Sequence, residues 1–219
     1  MTPNPRPRAV IFDCDGVLVD SEPVAHELIA ESLSRHGLPI SVEEVSSSYI
    51  GGTMANVAAR ARDQGATLPE HWVSDIYAEL YARLAEGVAL IEGILPVLER
   101  LDAAAIPYAV GSNGTRQKMA ITLGQHPEVM RRVEGRLWSA HDHGTAKPDP
   151  GLYLLAAEGL GVAPGDCVVV DDSPSGCTAG VRAGMRTLGF AEHDDGARLR
   201  EIGAEVFHRM SDLPGLLGL

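Results

Sequence analysis

The sequence predicts an α/β protein in which helices cover a parallel sheet and a block of helices is inserted after the first strand. Two observations lead to this prediction. Short apolar runs alternate with amphipathic stretches over most of the chain, as in the repeated βαβ units of an open parallel sheet. Between Ser21 and about Gly87 this alternation is interrupted by a segment whose patterns are helical throughout.

The strands are predicted from short runs that are apolar at nearly every position, as expected for a sheet buried on both faces. In chain order these runs are Ala9 to Phe12, Tyr108 to Gly111, Arg136 to Trp138, Cys167 to Val170 and Thr187 to Gly189. The amphipathic stretches that predict the intervening helices are Gly93 to Ala104, Thr115 to Gly124, Pro150 to Leu160 and Ser175 to Ala183. This order predicts that the strands run parallel.

The helical segment after the first strand is long enough to form a domain of its own. Its punctuation is Gly51-Gly52 and Gly65, and no stretch within it alternates as a strand does. We therefore expect two domains: a sheet core of residues 1–19 and 88–219, and a helical domain of residues 20–87.

Charge and composition exclude several classes of function. The 219 residues include 18 basic and 30 acidic side chains, a formal net charge of −12, so nucleic acid and anionic membranes are poor partners. No run of about 18 apolar residues is present to span a membrane. The segment from Met1 to Arg8 lacks the apolar core of a signal peptide and is interpreted as a frayed leader. Three cysteines without metal-binding spacing indicate a reducing compartment, so we expect a cytoplasmic protein and, by default, a monomer.

Polar residues gather directly after the predicted strands, where the ligand site of an open parallel sheet is expected. They are Asp13 and Asp15 after the first strand, Ser112 and Asn113 after the second, Lys147 in the next strand-to-helix connection, and Asp171 and Asp172 after the fourth. Carboxylates, a lysine and a hydroxyl are thereby expected at one edge of the sheet.

These residue types suit the chemistry of phosphate groups. Carboxylates are ligands for a hard cation, and Mg²⁺ binds a few of them while keeping water and phosphate oxygens as its other ligands. A lysine and backbone amides at helix starts can hold the remaining phosphate oxygens. One carboxylate can attack phosphorus as a nucleophile, and a second can transfer the proton, a role worth about 10²–10⁴-fold. The expected cofactor is therefore Mg²⁺, and the expected partner is a small phosphorylated metabolite.

Four motifs, in this order, resemble the haloacid dehalogenase-like hydrolase superfamily. They are Asp13-Cys14-Asp15-Gly16-Val17-Leu18-Val19-Asp20, Ser112-Asn113-Gly114, Lys147-Pro148-Asp149-Pro150, and Val170-Asp171-Asp172-Ser173 with Gly176. The resemblance implies a Rossmannoid core, a helical cap inserted after the first motif, and an aspartyl-phosphate intermediate.

The resemblance also implies roles for single residues. Asp13 would be the nucleophile and Asp15 the acid/base, and both would belong to the metal site. Ser112 and Lys147 would clamp the phosphate, with Asn113 beside them as a substrate contact. Asp172 would bind the metal, and Asp171 would do so directly or through water.

The substrate is expected to carry a sugar. The stretch from Gly111 to Met119 is similar to that of sugar-phosphate phosphatases of the 6-phosphogluconate type. This similarity implies hydrolysis of a sugar phosphate or a phosphosugar acid. The cap is expected to contact the rest of the substrate, and Glu22, Gly51 and Arg60 are the candidate residues.

Related functions are distinguished by particular residues. A dehalogenase of the superfamily lacks the acid that Asp15 supplies, and a phosphonate hydrolase needs a cap lysine, of which residues 21–87 contain none. A β-phosphoglucomutase shares all four motifs and stays open as the alternative, although Ala25 stands where its catalytic histidine is expected and His26 comes one residue late. A phosphoreceiver domain, from a different class, uses similar groups in another order on a much shorter chain.

Two further sets of polar residues are interpreted as structural. The sequence contains only two lysines, and Lys147 stands at a motif position. Lys118, in the helix after Ser112, is instead expected on a solvated face. His141-Asp142-His143 is expected in a loop that binds no metal, because no further ligand stands at a suitable spacing.

Overall fold

The computed structural model describes residues 6–49 and 53–219, and their contacts divide the chain into two compact units. One unit, called the core below, comprises the amino-terminal segment up to Asp20 together with Ala89–Leu219. The other, called the helical unit, is Ser21–Val88. The division expected from the sequence lay one residue earlier at each junction.

The core is built on a six-stranded parallel sheet. The strands of the described chain are β1 (Ala9–Phe12), β2 (Val19–Asp20), β3 (Ala89–Leu90), β4 (Tyr108–Ser112), β5 (Leu137–Ser139), β6 (Cys167–Asp171), β7 (Arg186–Phe190) and β8 (Glu205–Phe207). The sheet order is β5-β4-β1-β6-β7-β8, while β2 and β3 form a separate antiparallel pair. Because β1 lies between β4 and β6 and all three are parallel, the residues that follow them meet at one edge of the sheet.

The central strands form because their sequences suit burial on both faces. Every residue of β1, β4 and β6 is buried. On one face Ile11 and Val169 pack in the same apolar cluster as Tyr153 and Ala156, which belong to the helix Gly151–Leu160. Full burial of an aliphatic side chain stabilises the fold by about 1.5–3 kcal/mol, so this cluster fixes the centre of the sheet firmly.

Helices begin directly after two of the central strands. The helices are α1 (Glu22–Arg35), α2 (Val42–Ser48), α3 (Met54–Asp63), α4 (Trp72–Glu86), α5 (Ile94–Ala103), α6 (Arg116–Gly124), α7 (Pro127–Val133), α8 (Ala140–His143), α9 (Gly151–Leu160), α10 (Pro174–Arg182), α11 (Ala197–Ile202) and α12 (Leu213–Leu216). Thr115 caps α6 by accepting a hydrogen bond from the Lys118 N–H at 3.0 Å. Ser173 caps α10 by accepting one from the Gly176 N–H, also at 3.0 Å. Pro174 occupies the first turn of α10, where its missing N–H costs nothing.

The helical unit contains α1 to α4. At the start of α2, Ser41 and Glu44 form a reciprocal capping box, with hydrogen bonds of 2.9 and 3.1 Å. The buried indole N–H of Trp72 donates to Ser32 Oγ at 2.9 Å and so connects α4 to α1. Across residues 6–49 and 53–219, no helix combines the length and the apolar character that crossing a bilayer requires.

The predicted class, an α/β fold on a parallel sheet, is confirmed. The sixth strand, β8, was not predicted: it has three residues at the sheet edge, and only Phe207 is buried. The prediction of a loop at His141 to His143 is wrong, because these residues form the short helix α8. Ser139 caps this helix by accepting a hydrogen bond from the His141 N–H at 3.2 Å.

Candidate active site

The first motif begins where β1 ends. Asp13 is 8% exposed, and its N–H donates to the Val170 carbonyl of β6 at 2.9 Å. The chain then turns at Gly16, whose φ of 74° lies in the left-handed region that favours glycine. A Cβ atom at Gly16 would lie 2.1 Å from Asp172 Oδ2. Glycine at this position therefore permits both the turn after Asp15 and the close approach of Asp172.

Lys147 lies between two buried carboxylates. Its Nζ is 2.6 Å from Asp13 Oδ1 and 2.8 Å from Asp171 Oδ2, and its side chain is 3% exposed. The Tyr153 ring faces the ammonium, with 4.9 Å between Nζ and the ring centroid. The two carboxylates accept two of the three N–H bonds of the ammonium, so the third can donate to a phosphate oxygen.

Asn113 holds the loop that carries Lys147. Its Oδ1 accepts a hydrogen bond from the Lys147 N–H at 2.8 Å, and its Nδ2 donates to the Lys147 carbonyl at 3.2 Å. The sequence predicts a substrate contact for Asn113; in the structure its amide is hydrogen-bonded to the backbone of Lys147 on both sides and so holds this loop. Ser112 is buried and accepts a hydrogen bond from the Gly114 N–H at 2.9 Å, which leaves its hydroxyl hydrogen able to donate.

Asp171 is fully buried and surrounded by donors. Its Oδ1 accepts hydrogen bonds from the Ser173 N–H at 2.8 Å and from the Ser173 hydroxyl at 2.7 Å. Its Oδ2 accepts from Lys147 at 2.8 Å and from the Tyr153 hydroxyl. A carboxylate offers about four lone-pair sites, and these donors fill them. In this arrangement both oxygens of Asp171 are hydrogen-bonded, and one of them holds Lys147.

Burial controls the electrostatics of this cluster. Removal from water raises the pKa of Asp13 to about 7; Lys147 opposes this rise, while Asp171 and Asp15 add to it. Burial by itself lowers the pKa of Lys147, but the nearby carboxylates of Asp13 and Asp171 outweigh it, so the pKa of Lys147 is raised. A single charged lysine thus faces more carboxylate charge than it can neutralise, and a cation would relieve the excess.

The same carboxylates offer a metal site. Oxygen atoms of Asp13, Asp171 and Asp172 lie within 4.8 Å of one another. An all-oxygen set fits a hard cation such as Mg²⁺. Each of the three side chains offers a carboxylate oxygen to this site. The Asp15 carboxylate, which the resemblance assigns to the metal site, is not part of this group and pairs with a lysine instead.

That lysine is Lys118, and its predicted place on a solvated face is wrong. Lys118 Nζ lies 2.8 Å from Asp15 Oδ1, and the two side chains are only 20% and 24% exposed. Burial by itself lowers the pKa of Lys118, but Asp15 outweighs it, and the pKa of Lys118 is raised. The structure therefore adds Lys118 to the residues that surround the first motif.

Tyr153 is the second site residue that the sequence did not reveal. It stands in the apolar row of α9, where an aromatic residue is ordinarily read as core. For Lys118 a signal existed, since it is one of only two lysines in the chain. For Tyr153 no comparable signal exists.

Three residues of the helical unit are predicted to contact the substrate, and two of them are described by the structure. Gly51 lies outside the described residues. Glu22 is exposed in the first turn of α1. Arg60 is also exposed, and its guanidinium stacks on the Tyr49 ring at 5.0 Å from the centroid and donates to the Ser48 carbonyl.

The fold and this cluster of residues have counterparts in known proteins. A family model of haloacid dehalogenase-like hydrolases matches residues 7–184. The chain is 30% identical over 213 residues to a 6-phosphogluconate phosphatase of Escherichia coli, covering 96% of this chain and 95% of that protein. It is 31% identical over 214 residues to hexitol phosphatase A of the same organism, covering 95% and 94%.

A solved structure shows the same fold. It is a hydrolase of this family from Deinococcus radiodurans with bound phosphate and sodium, 30% identical, with a TM-score of 0.85 over 98% of this chain and 96% of that one. The protein described here belongs to the haloacid dehalogenase-like hydrolase family.

Proposed function

We propose that this protein is a Mg²⁺-dependent phosphatase that hydrolyses a sugar phosphate or a phosphosugar acid through an aspartyl-phosphate on Asp13. The observation that carries the proposal is the buried cluster of Asp13, Lys147 and Asp171, with Asp15 two residues along the same loop. A nucleophile, a fixed cation beside it and a second carboxylate for proton transfer are the groups that this reaction needs.

In the first step a carboxylate oxygen of Asp13 attacks phosphorus, and the bond from phosphorus to the ester oxygen breaks. Asp15 gives its proton to the departing oxygen, which leaves as an alcohol. Lys147 and the Ser112 hydroxyl donate hydrogen bonds to the other phosphoryl oxygens, where negative charge develops. Asn113 and Asp171 act through Lys147, because they hold it in place.

In the second step Asp15 takes a proton from a water molecule whose oxygen attacks the phosphorus of the aspartyl-phosphate. The bond between phosphorus and Asp13 breaks, inorganic phosphate leaves, and both carboxylates return to their starting forms. One group thus serves as acid in the first step and as base in the second.

The acidic cluster also supports the metal part of the proposal. Asp13 and Asp172 would hold Mg²⁺ directly, with Asp171 behind them as the partner of Lys147. When bound there, Mg²⁺ supplies positive charge beside the phosphoryl oxygens and the Asp13 carboxylate. Removal of the metal by a chelator should therefore abolish turnover, and Ca²⁺, whose coordination is looser, should restore little of it.

The substrate class rests on the relatives. Two proteins that align with nearly the whole chain are named for phosphatase activity on 6-phosphogluconate and on hexitol phosphates. The core residues to which we assign the phosphoryl group, Ser112 and Lys147, would bind the phosphate of any phosphomonoester. We therefore assign recognition of the rest of the substrate to the helical unit, as the sequence predicts.

A substrate panel with matched variants tests the proposal. The purified protein is assayed with Mg²⁺ on phosphorylated sugars, sugar acids, hexitols, glycolate and nucleotides, and on 4-nitrophenyl phosphate as a general probe. Asp13→Asn should lose all but a trace of turnover, because an amide is not a nucleophile. The control is Glu158→Gln, which changes an exposed acid on α9 and should keep full activity. Substantial activity of Asp13→Asn would refute the covalent mechanism.

The same assay separates hydrolysis from mutase action. A phosphatase releases one inorganic phosphate for each substrate consumed, whereas a mutase returns the phosphoryl group to the sugar. His26, the residue nearest to the expected catalytic histidine of a mutase, is half-buried in α1. We expect stoichiometric phosphate release with sugar 1-phosphates, and formation of a sugar 6-phosphate instead would favour the mutase.

We further propose that the protein is a cytoplasmic monomer. Cys14, Cys167 and Cys177 are buried free thiols, which suits a reducing compartment. The net charge of −12 disfavours nucleic acid and anionic membranes as partners. Light scattering after size exclusion measures the mass directly, and a dimer would contradict this part of the proposal.

A further inference from the structure

The sequence contains two lysines, and each pairs with a different carboxylate of the first motif. Lys147 lies 2.6 Å from Asp13, and Lys118 lies 2.8 Å from Asp15. The role of Lys147 follows from the proposed function, since it faces the nucleophile. The pairing of Lys118 with Asp15 is not explained by any role assigned so far.

The surroundings of Lys118 set its pair apart from surface ion pairs of the core. Lys118 and Asp15 are 20% and 24% exposed, whereas Arg116 and Asp142, which also pair through a residue of α6, are 56% and 37% exposed. A partly buried pair is screened less by water and salt than an exposed one. The Lys118 pair is therefore the more persistent of the two.

The local backbone also favours this pair. Lys118 stands in the first turn of α6, whose start is fixed by the Thr115 cap. A Cβ atom on Gly114 would lie 3.2 Å from Ser112 Oγ, 3.5 Å from Asp15 Oδ2 and 3.6 Å from Lys118 Cδ. The three side chains thus surround one point beside Gly114, and only the approach of Ser112 is closer than an ordinary van der Waals contact.

We propose that Lys118 is a positioning residue for Asp15: its ammonium holds Oδ1 and so directs Oδ2, which carries the proton for the departing oxygen in the first step and, once ionised, accepts the proton of the attacking water in the second. The proposal rests on the proposed function, in which Asp15 is the acid/base. Lys118 itself forms and breaks no bond in the reaction and donates no proton to the substrate.

The effect should depend on the leaving group. A sugar alkoxide is a poor leaving group and needs its proton from a well-placed Asp15, whereas 4-nitrophenolate leaves readily without one. A misplacement of about 1 Å in catalytic geometry can cost roughly 10²-fold. Loss of Lys118 should therefore reduce kcat/KM, which reports phosphoryl transfer to Asp13, much more for a sugar phosphate than for 4-nitrophenyl phosphate.

The experiment compares Lys118→Met, Lys118→Gln and Lys118→Arg with wild type and with Arg116→Met. The last variant removes a positive charge from the same helix without touching Asp15. The substrates are 4-nitrophenyl phosphate and the fastest sugar phosphate of the panel. Circular dichroism melts identify any variant that fails to fold, in which case the remaining Lys118 variants carry the comparison.

For Lys118→Met we expect kcat/KM to fall by about 10–10²-fold with the sugar phosphate and by less than about 3-fold with 4-nitrophenyl phosphate. With 4-nitrophenyl phosphate the phosphoenzyme should accumulate, visible as a burst of nitrophenolate, because its hydrolysis still needs Asp15 as base. Lys118→Arg should recover most of the activity, and Arg116→Met should behave as wild type.

Three outcomes would overturn the positioning role. They are an unchanged kcat/KM in Lys118→Met, an equal fall with both substrates, and an equal effect of Arg116→Met. Failure of the proposed function gives a different pattern, in which wild type hydrolyses no phosphomonoester or Asp13→Asn stays active. The two failures are thus distinguishable.

Discussion

Replacing Asp13 by Asn should make the metal-free protein more stable, and increasingly so as the pH rises. Asp13 is buried beside Asp171, and one lysine serves both acids. Burial raises the pKa of Asp13 from its ordinary value of 3.8 to about 7. The folded state therefore holds a proton on Asp13 over a pH range in which the unfolded state has lost it.

The sign and size of the effect follow from proton linkage. Between pH 3.8 and about 7 the folded state binds one proton more than the unfolded state at this residue, so stability falls as the pH rises. The slope is about 1.4 kcal/mol per pH unit, which gives roughly 4 kcal/mol over the whole range as an upper limit. The contribution is fully present below pH 3.8 and is lost as the pH passes about 7. Asn has no proton to lose, so the stability of the variant does not fall with pH through this residue.

Urea unfolding in the presence of a chelator measures the difference between wild type and Asp13→Asn at half-unit steps from pH 5 to 8.5. The free energy of unfolding of the variant should exceed that of wild type by an amount that grows up to about pH 7 and then stays constant. Mg²⁺ should narrow the gap at high pH, because it stabilises the ionised Asp13 of wild type. Glu158→Gln, at an exposed position, should show no such trend. A difference that stays flat, or that shrinks with rising pH, would refute the reasoning.

Three further substitutions probe the same cluster. Lys147→Met leaves Asp13 and Asp171 without their cation and should lower the free energy of unfolding by about 3–5 kcal/mol, as measured by urea unfolding, while abolishing turnover. Gly16→Ala places a Cβ 2.1 Å from Asp172 Oδ2, at a residue whose φ is 74°. It should lower the free energy of unfolding by about 1–3 kcal/mol and weaken Mg²⁺ binding, as measured by calorimetry. Tyr153→Phe removes one of the donors to Asp171 and should cost about 1–3 kcal/mol, with a lower kcat.

Two of these substitutions have a control in the same chain. Gly165→Ala adds a Cβ where nothing lies within 4 Å and should be nearly neutral, so an equal loss there would remove the steric argument for Gly16. Tyr77→Phe changes a tyrosine that is 37% exposed and should leave stability and kcat unchanged. A Lys147→Met protein as stable as wild type would contradict the view that its ammonium neutralises buried acids.

The position of the first motif was predictable from the sequence because it depends on residues close together in the chain. Asp13 and Asp15 follow an apolar run typical of a buried strand. Gly16 permits the turn between that strand, β1, and the short strand β2. The order of Ser112 and Lys147 after later strands followed from the same alternation. Parallel strands place their carboxyl ends at one edge, so the convergence of these groups needed no knowledge of distances.

The surroundings of the two acids after β6 could not be predicted without the tertiary structure. In the sequence Asp171 and Asp172 are adjacent acids at the end of an apolar run, and only the family resemblance favours Asp172 as the metal ligand. In the fold, Asp171 is enclosed by Lys147, Tyr153 and Ser173, and its lone pairs are filled. Which of two adjacent acids meets these donors depends on the direction of each side chain at the strand end.

The sequence by itself determined the fold class and the order of the motifs, because strand periodicity and motif spacing are local properties. Only the tertiary structure decided that Lys118 pairs with Asp15, that Tyr153 belongs to the site and that Asn113 supports the backbone of Lys147. These contacts join residues from different strand-to-helix connections. Their existence depends on how far apart the packed elements lie, and that distance is set by side-chain volumes throughout the core rather than by any single motif.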